Sequence, residues 1–406
     1  MADCINECRT ELHETTLLAR AAIDQDSVHG SVTPPLYLSS NYAFEGYNKK
    51  RAYDYCRSGN PTRDMLGKAL AELEAGYHAV VTSSGMAALD VVFQLLGKDD
   101  LLIAPHDCYG GTHRLLSFRA RQGHFRVKFV NLTETAALAA AFDEKVAMVL
   151  IETPSNPLLR ITDIRDVATQ AKQQGAIVVA DNTFLSPTLQ KPLTLGADIV
   201  VHSTTKYING HSDVVGGAVI SKTRELHEKL AWLANCTGVT GAPFDSFLTL
   251  RGLRTLPLRV KHQEQTAHQI ARFLAQHPAV AKVYYPGLEN HPGHEIAARQ
   301  QQGFGAMISF ELKGGLDTIP AFLDVVATGP GALFCLAESL GGFESLIAHP
   351  ATMTHASMVP EARVAAGIGD SLLRLSIGIE APEDLLALLD KGLNLVLAAP
   401  QRAAVA

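Results

Sequence analysis

Short apolar runs recur through the middle of the chain, at Ala79–Thr82, Leu101–Ala104, Ala147–Ile151, Ala176–Ala180 and Asp198–His202, and amphipathic segments such as IRDVATQAKQQG lie between them. Strands that are apolar on both faces and joined by helices predict a mostly parallel sheet in an α/β domain. Ligands of such sheets bind beyond the carboxyl ends of the strands. The residues following each run therefore carry the functional information: SSGMAA (Ser83–Ala88), PHDCYGG (Pro105–Gly111), ETPSNP (Glu152–Pro157), DNTF (Asp181–Phe184) and HSTTK (His202–Lys206). All five polar exits are expected to meet in one crevice. Residues 1–58, which include VTPPLYLSSNYAF, lack a regular period and predict an arm. From about Val260 a second α/β pattern begins, with helical HQIARFLAQHP, strand-like AKVYY and MISFEL, and a final helix LLALLDKGLNLVLAA. The expected organisation is an arm (1–58), a large domain (59–260) and a smaller C-terminal α/β domain (261–406), without internal repeats.

Composition narrows the partners. The chain has 406 residues, too many for one hydrophobic core. Charged residues make up 19%, below the roughly 25% usual for soluble proteins, and apolar residues 47%, which predicts surface covered by another subunit. With a net charge of −6 and no cluster of five or more basic residues, a nucleic-acid partner or an anionic membrane surface is not expected. The segment MADCINECRTELHETT has neither the basic start nor the apolar run of a secretory signal, and no apolar stretch of about eighteen residues occurs, so a cytoplasmic protein is expected. The six cysteines, Cys4, Cys8, Cys56, Cys108, Cys236 and Cys335, lack CxxC spacing and read as free thiols. No metal site is indicated. Neither GxGxxG after a strand nor GxxxxGK[ST] is present, which removes the usual nicotinamide and nucleotide-triphosphate signatures.

The exits have chemical jobs to offer. Ser84-Gly85-Met86 opens a helix, AALDVVFQLL, whose backbone N–H groups are able to hold a phosphate, although ordinary capping explains the motif equally well. Ser203 and Thr205, two apart, project to the same side and are placed to join that phosphate or to cap. Asp181 ends a buried run, where a carboxylate is costly unless it meets a cation or donor; a protonated pyridine nitrogen is one such partner. Tyr109 is placed to cover an aromatic ring or simply to pack. Lys206, after two hydroxyls at a strand exit, is either a surface charge at a turn or an amine for a carbonyl. Together, an amine, an acid for a ring nitrogen, a phosphate cup and an aromatic cover are the equipment for pyridoxal 5′-phosphate.

The sequence also resembles the cystathionine γ-synthase and γ-lyase group of fold type I pyridoxal-phosphate enzymes. The resemblance rests on YCRSGNPTRD, SSGMAALD, APHDCYGGTHRL, ETPSNPLLRITDI, VADNTFLSPTLQ, HSTTKYINGHSDVVGG, FDSFLTLRGLRTL, LAESLGGFESLIAHPATMTH and LRLSIGIE, across roughly residues 31 to 380. It implies a pyridoxal-phosphate transferase with an N-terminal arm, a large cofactor-binding domain and a smaller C-terminal domain. It further implies that Lys206 is the cofactor-anchoring lysine, that Asp181 pairs with the pyridine nitrogen, and that Tyr109 stacks on the ring. Gly85, Met86, Thr183, Ser203 and Thr205 complete the cofactor set within the chain, while Tyr55 and Arg57 reach the phosphate from a neighbouring subunit. Arg374, with Asn156, Glu338 and Ser339 beside it, matches the clamp for a substrate α-carboxylate. Asp54, Tyr55 and Arg114 match positions that meet the distal parts of the substrates.

The implied reaction replaces the γ-substituent of an activated homoserine ester, O-succinyl-L-homoserine, by L-cysteine, giving L-cystathionine in methionine biosynthesis. A γ-lyase or mixed γ-elimination activity, releasing 2-oxobutyrate and ammonia, is the alternative. Ser58 marks the divergence, because γ-synthases usually carry a second arginine after the position of Arg57, and YxRSGNP is a γ-lyase spelling. A non-catalytic cofactor-binding scaffold needs no clamp for a substrate carboxylate, so the presence of Arg374 together with Lys206 and Tyr109 argues against one. The partners implied are amino-acid substrates and copies of the chain itself, in a homotetramer with shared sites.

Overall fold

The computed structural model describes residues 12–23, 25–354, 356, 363 and 366–398. Cys4, Cys8 and His355 of the ATMTH motif lie outside them. Seven strands form the larger sheet: β1 (His78–Thr82), β2 (Leu101–Pro105), β3 (Arg126–Val130), β4 (Met148–Glu152), β5 (Ile177–Asp181), β6 (Ile199–His202) and β7 (Gly217–Ser221), in the order β1-β7-β6-β5-β4-β2-β3. β2, β3, β4, β5 and β6 pair in parallel; β7 runs antiparallel to both β1 and β6. The expected runs correspond to β1, β2, β4, β5 and β6. The pattern does not announce β3 and β7: RVKFV alternates charge with apolar residues at a sheet edge, and GAVIS follows directly on the glycines of DVVGG.

Buried side chains divide by parity across this sheet. Ile151, Ala180 and Val200 face a core shared with the helix Pro61–Glu74, whereas Leu150, Val179 and Val201 face one shared with the helix Gly85–Phe93. Because side chains alternate along a strand, the residue after each pair is committed to a face in advance. Glu152 and Asp181 therefore project on the side of the Gly85–Phe93 helix, and His202 on the opposite side. Caps fix where the helices begin. Ser84 accepts from the Ala87 N–H at 3.1 Å, and Asn60, ahead of Pro61, accepts from Thr62 and Arg63.

A second sheet contains β8 (Val280–Tyr284), β9 (Met307–Leu312), β10 (Cys335–Leu336), β11 (Leu346–Ala348) and β12 (Leu372–Ser376), ordered β10-β11-β12-β9-β8. β12 is its central strand, and Arg374 pairs there with Ala348 on one side and Ser309 on the other. The helix Leu256–Gln276 packs on β8 and β9 and spans residue 260 without a break. From it the buried Arg259 donates to the Tyr207 carbonyl at 2.8 Å and the Gly252 carbonyl at 2.9 Å, which ties down the turn after Lys206. Ahead of Pro61, residues 12–58 hold one short helix, Glu14–Ala19, then turns and isolated bridges such as Asn41 to Tyr55. Among the described residues no helix is long and apolar enough to cross a membrane.

Candidate active site

A cavity of about 300 Å³ opens at the carboxyl ends of the large-sheet strands, and twelve of the sixteen residues singled out above line it: Gly85, Met86, Tyr109, Asn156, Asp181, Thr183, Ser203, Thr205, Lys206, Glu338, Ser339 and Arg374. Each exit supplies part of the wall. At the start of the Gly85–Phe93 helix, a Cβ on Gly85 would stand 2.8 Å from that of Ser203, so glycine is what lets the helix start come down beside the β6 exit. Likewise a Cβ on Gly217 would lie 2.2 Å from the Ser84 carbonyl oxygen. Helix N–H groups, Ser203 and Thr205 thus converge in one corner, the arrangement that holds an anion. Thr205 is fixed there: its Oγ1 accepts from the Gly216 N–H at 3.0 Å and donates to the Gly216 carbonyl at 3.2 Å.

Deeper in, Asp181 and Glu152 are register partners on β5 and β4. Glu152 holds the adjoining loops by accepting from the N–H groups of Tyr109 (2.9 Å) and Asn156 (3.1 Å). Burial raises its pKa well above the ordinary carboxyl value, with the neighbouring Asp181 charge adding to the effect. Asp181 is raised as well, chiefly by burial, against the lowering pull of Thr183 and of the His202 charge. A carboxylate in this position is stabilised by a cation, and the described chain hydrogen-bonds it only from Thr183.

At the far wall the Lys206 ammonium donates to Ser339 Oγ at 2.7 Å. Its pKa is lowered to about 8, first by burial and then by the Arg374 charge, with Glu338 opposing. Arg374 donates from Nη1 to Asn156 Oδ1 and from Nη2 to the Ser339 carbonyl, both at 2.9 Å, while its buried Nε finds no partner among the described residues. Burial lowers its pKa to about 10, which leaves it charged at neutral pH. A guanidinium so placed, with its Nε–H unspent, suits a carboxylate.

These features fit pyridoxal 5′-phosphate: an acid held only by Thr183 for the ring nitrogen, an anion corner for the phosphate, a half-buried amine for the aldehyde carbon, and Tyr109 at the rim beside Met86. One mismatch of charge stands out. The only cationic side chains among the lining residues are Lys206 and Arg374, and both lie at the substrate end, so the phosphate corner holds dipoles but no cation.

The remaining four residues stand elsewhere. Tyr55 is half exposed, and Arg57 lies over its ring at 5.5 Å while donating to Asn235 Oδ1 at 3.1 Å. Asp54 pairs with Lys50 at 2.9 Å and accepts from Ser58 Oγ at 3.0 Å, and Arg114 is exposed on the helix Gly110–Arg121. One expectation needs correcting: His202, counted among the converging exits, is fully buried behind the sheet, 2.6 Å from Glu74, because parity turns it away from the cavity. The role of Glu152 was also not anticipated; a lone acid closing an otherwise apolar strand was its signal.

This fold and this site define a fold type I pyridoxal-phosphate enzyme. Over residues 15–394 the chain matches the Cys/Met metabolism PLP-dependent enzymes, and it belongs to that family. It is 55% identical over 380 residues to a cystathionine gamma-synthase of Escherichia coli (strain K12), covering 93% of this chain and 97% of that protein. A cystathionine gamma-lyase of Bacillus subtilis (strain 168) is 45% identical over 375 residues, 92% of this chain and 97% of the relative. The solved cystathionine gamma synthase of Xanthomonas oryzae pv. oryzae, in complex with aminoacrylate and cysteine, is 58% identical with a TM-score of 0.94, covering 96% of this chain and 100% of that one.

Proposed function

We propose that the chain is a cystathionine γ-synthase that condenses O-succinyl-L-homoserine with L-cysteine to give L-cystathionine and succinate. The observation that carries this reading is the joining of a half-buried, pKa-lowered Lys206 to the Arg374 clamp through Ser339, in a chain more similar to the γ-synthases above than to the γ-lyase. Bound pyridoxal phosphate supplies the electron sink that acidifies Cα and then Cβ of an amino acid. Arg374 and Asn156 hold the α-carboxylate and orient Cα toward Lys206. The lysine amine, neutral above about pH 8, takes the Cα proton, gives it up to the bound group, and is then free to take a Cβ proton; once the cysteine sulfur has added, it returns one proton to Cβ and one to Cα. The Cγ–O bond then breaks, the cysteine sulfur forms a Cγ–S bond, and the thiol proton passes to solvent. Asp181 holds the ring proton, Tyr109 covers the ring, and Glu152 keeps the loops of Tyr109 and Asn156 in place.

Distal selection falls to Arg114, Asp54 and Tyr55, and the phosphate is completed by Tyr55 and Arg57 from a second copy. The missing cation at the phosphate corner supports this sharing, as do the exposed apolar side chains Phe44, Tyr47, Trp232 and Leu258 on the isolated chain. A homotetramer in the cytoplasm is the setting that fits; Cys56, Cys108, Cys236 and Cys335 are all unpaired. Ser58 favours the second reading, γ-elimination from cystathionine. Incubation of O-succinyl-L-homoserine with and without cysteine separates the two. Cystathionine formation that outruns 2-oxobutyrate release supports the synthase; 2-oxobutyrate as the main product in the presence of saturating cysteine refutes it.

A further inference from the structure

Directly behind the cavity, on the opposite face of the large sheet, lies a buried acid that the chemistry above does not use. Glu74 is the last residue of the helix Pro61–Glu74 and is fully buried, as are His202 and Asn182. Its Oε1 meets His202 Nε2 at 2.6 Å and accepts from Asn182 Nδ2 at 2.9 Å. Oε2 and His202 Nδ1 have no partner among the described residues. The location opposes the acid twice, since burial penalises a carboxylate and the carboxyl end of a helix already carries partial negative charge. Well-packed apolar side chains usually serve stability as well as a buried polar pair does. What the contact does achieve is geometric. His202 precedes Ser203 and ends β6, while Asn182 follows Asp181, the end of β5; one carboxylate oxygen thus joins the two strand exits that carry the phosphate corner and the ring-nitrogen acid. The Asn182 amide extends the tie to the Gln190 carbonyl at 2.7 Å.

We propose that Glu74 is a positioning residue for the cofactor, setting the spacing of Asp181 and Ser203 from behind the sheet. The inference rests on the cofactor alone and is independent of whether the reaction is replacement or elimination.

The test compares wild type, Glu74→Gln and Glu74→Met, each stripped of cofactor and titrated with pyridoxal phosphate by equilibrium dialysis, with melting of the apoproteins and the visible circular dichroism of the bound cofactor recorded alongside. Glu74→Met removes both contacts and leaves the buried His202 and Asn182 without that acceptor, so its apoprotein should melt lower as well as bind cofactor about tenfold or more weakly, with a weakened dichroic band. Glu74→Gln keeps an acceptor for Asn182 but loses the charge-assisted bond to His202, so its Kd should rise roughly three- to tenfold. A rise of less than about threefold in the Gln variant, or a rise in that variant matched by a fall of more than about 3 °C in its apoprotein melting temperature, overturns the proposal. If Glu74→Met does not fold, Glu74→Gln decides by the same threshold.

Discussion

The cavity wall and the arm segment Asp54–Ser58 hold residues of the same proposed site, yet they are built in opposite ways. The wall is over-determined. Asp181 is fixed by sheet register, Ser203 follows the end of β6, Lys206 sits in the turn beyond it that Arg259 ties down, and Arg374 rides on the central strand of the second sheet. Tyr55 and Arg57 instead sit on turns at the surface, touching each other and Asn235. The difference teaches where the chain spends its ordering. Chemistry at Cα needs sub-ångström placement and is put on the sheets, whereas a phosphate cation contributes mainly charge and can arrive with a neighbouring copy.

The largest expected effect lies on the wall. Lys206→Ala should lower turnover by about ten-thousandfold, the upper range for losing a positioned proton-transfer group. Borohydride reduction of the wild type should fix cofactor on the peptide containing Lys206 and on no other lysine. Arg374→Ala follows: removal of hydrogen bonds to a charged group is worth roughly 1.5–3 kcal/mol, so KM for the homoserine ester should rise about ten- to hundredfold. Were kcat alone to fall, Arg374 would not be holding the ground-state carboxylate.

The pH profile sharpens the same half of the comparison. A pKa depressed to about 8 leaves Lys206 protonated below that value, so the rate at saturating substrate should climb with pH through about 8. A flat profile between pH 7 and 9 would place the proton-transfer group elsewhere. Smallest is the effect expected from the arm. Ser58→Arg should lower KM for O-succinyl-L-homoserine more than for O-acetyl-L-homoserine, which has no distal charge, by up to about tenfold, and Arg114→Ala should shift the preference the other way. Equal changes for both esters would mean that neither residue reads the acyl tail.

Much of this was legible in the sequence, for a physical reason. Parallel strands are apolar on both faces and end abruptly in polar residues, so HSTTK, DNTF and SSGMAA showed themselves as exits. Period two stops at His202, where β6 ends, and a turn rather than strand alternation brings Ser203 and Thr205 to the one cavity. Period two itself sends His202 behind the sheet, a consequence hidden because its partner Glu74 is 128 residues earlier and carries no local signal. β3 and β7 were obscured by edge alternation and by a glycine at the strand start. For Arg374, strand patterning says nothing of a carboxylate clamp; resemblance alone pointed to it, and the central position of β12 explains how it reaches the cavity.

The central claim is that one chain supplies the reactive wall and its neighbour supplies the phosphate cation. Arg57→Ala and Lys206→Ala should each be nearly inactive when purified alone. After joint dissociation and reassembly, random pairing makes half of the dimers hybrids, and each hybrid holds one site with both wild-type residues, so recovery should reach about a quarter of wild-type activity. Verified hybrids with no activity above the parent variants would contradict the account, and would return Arg57 to the chain that carries it.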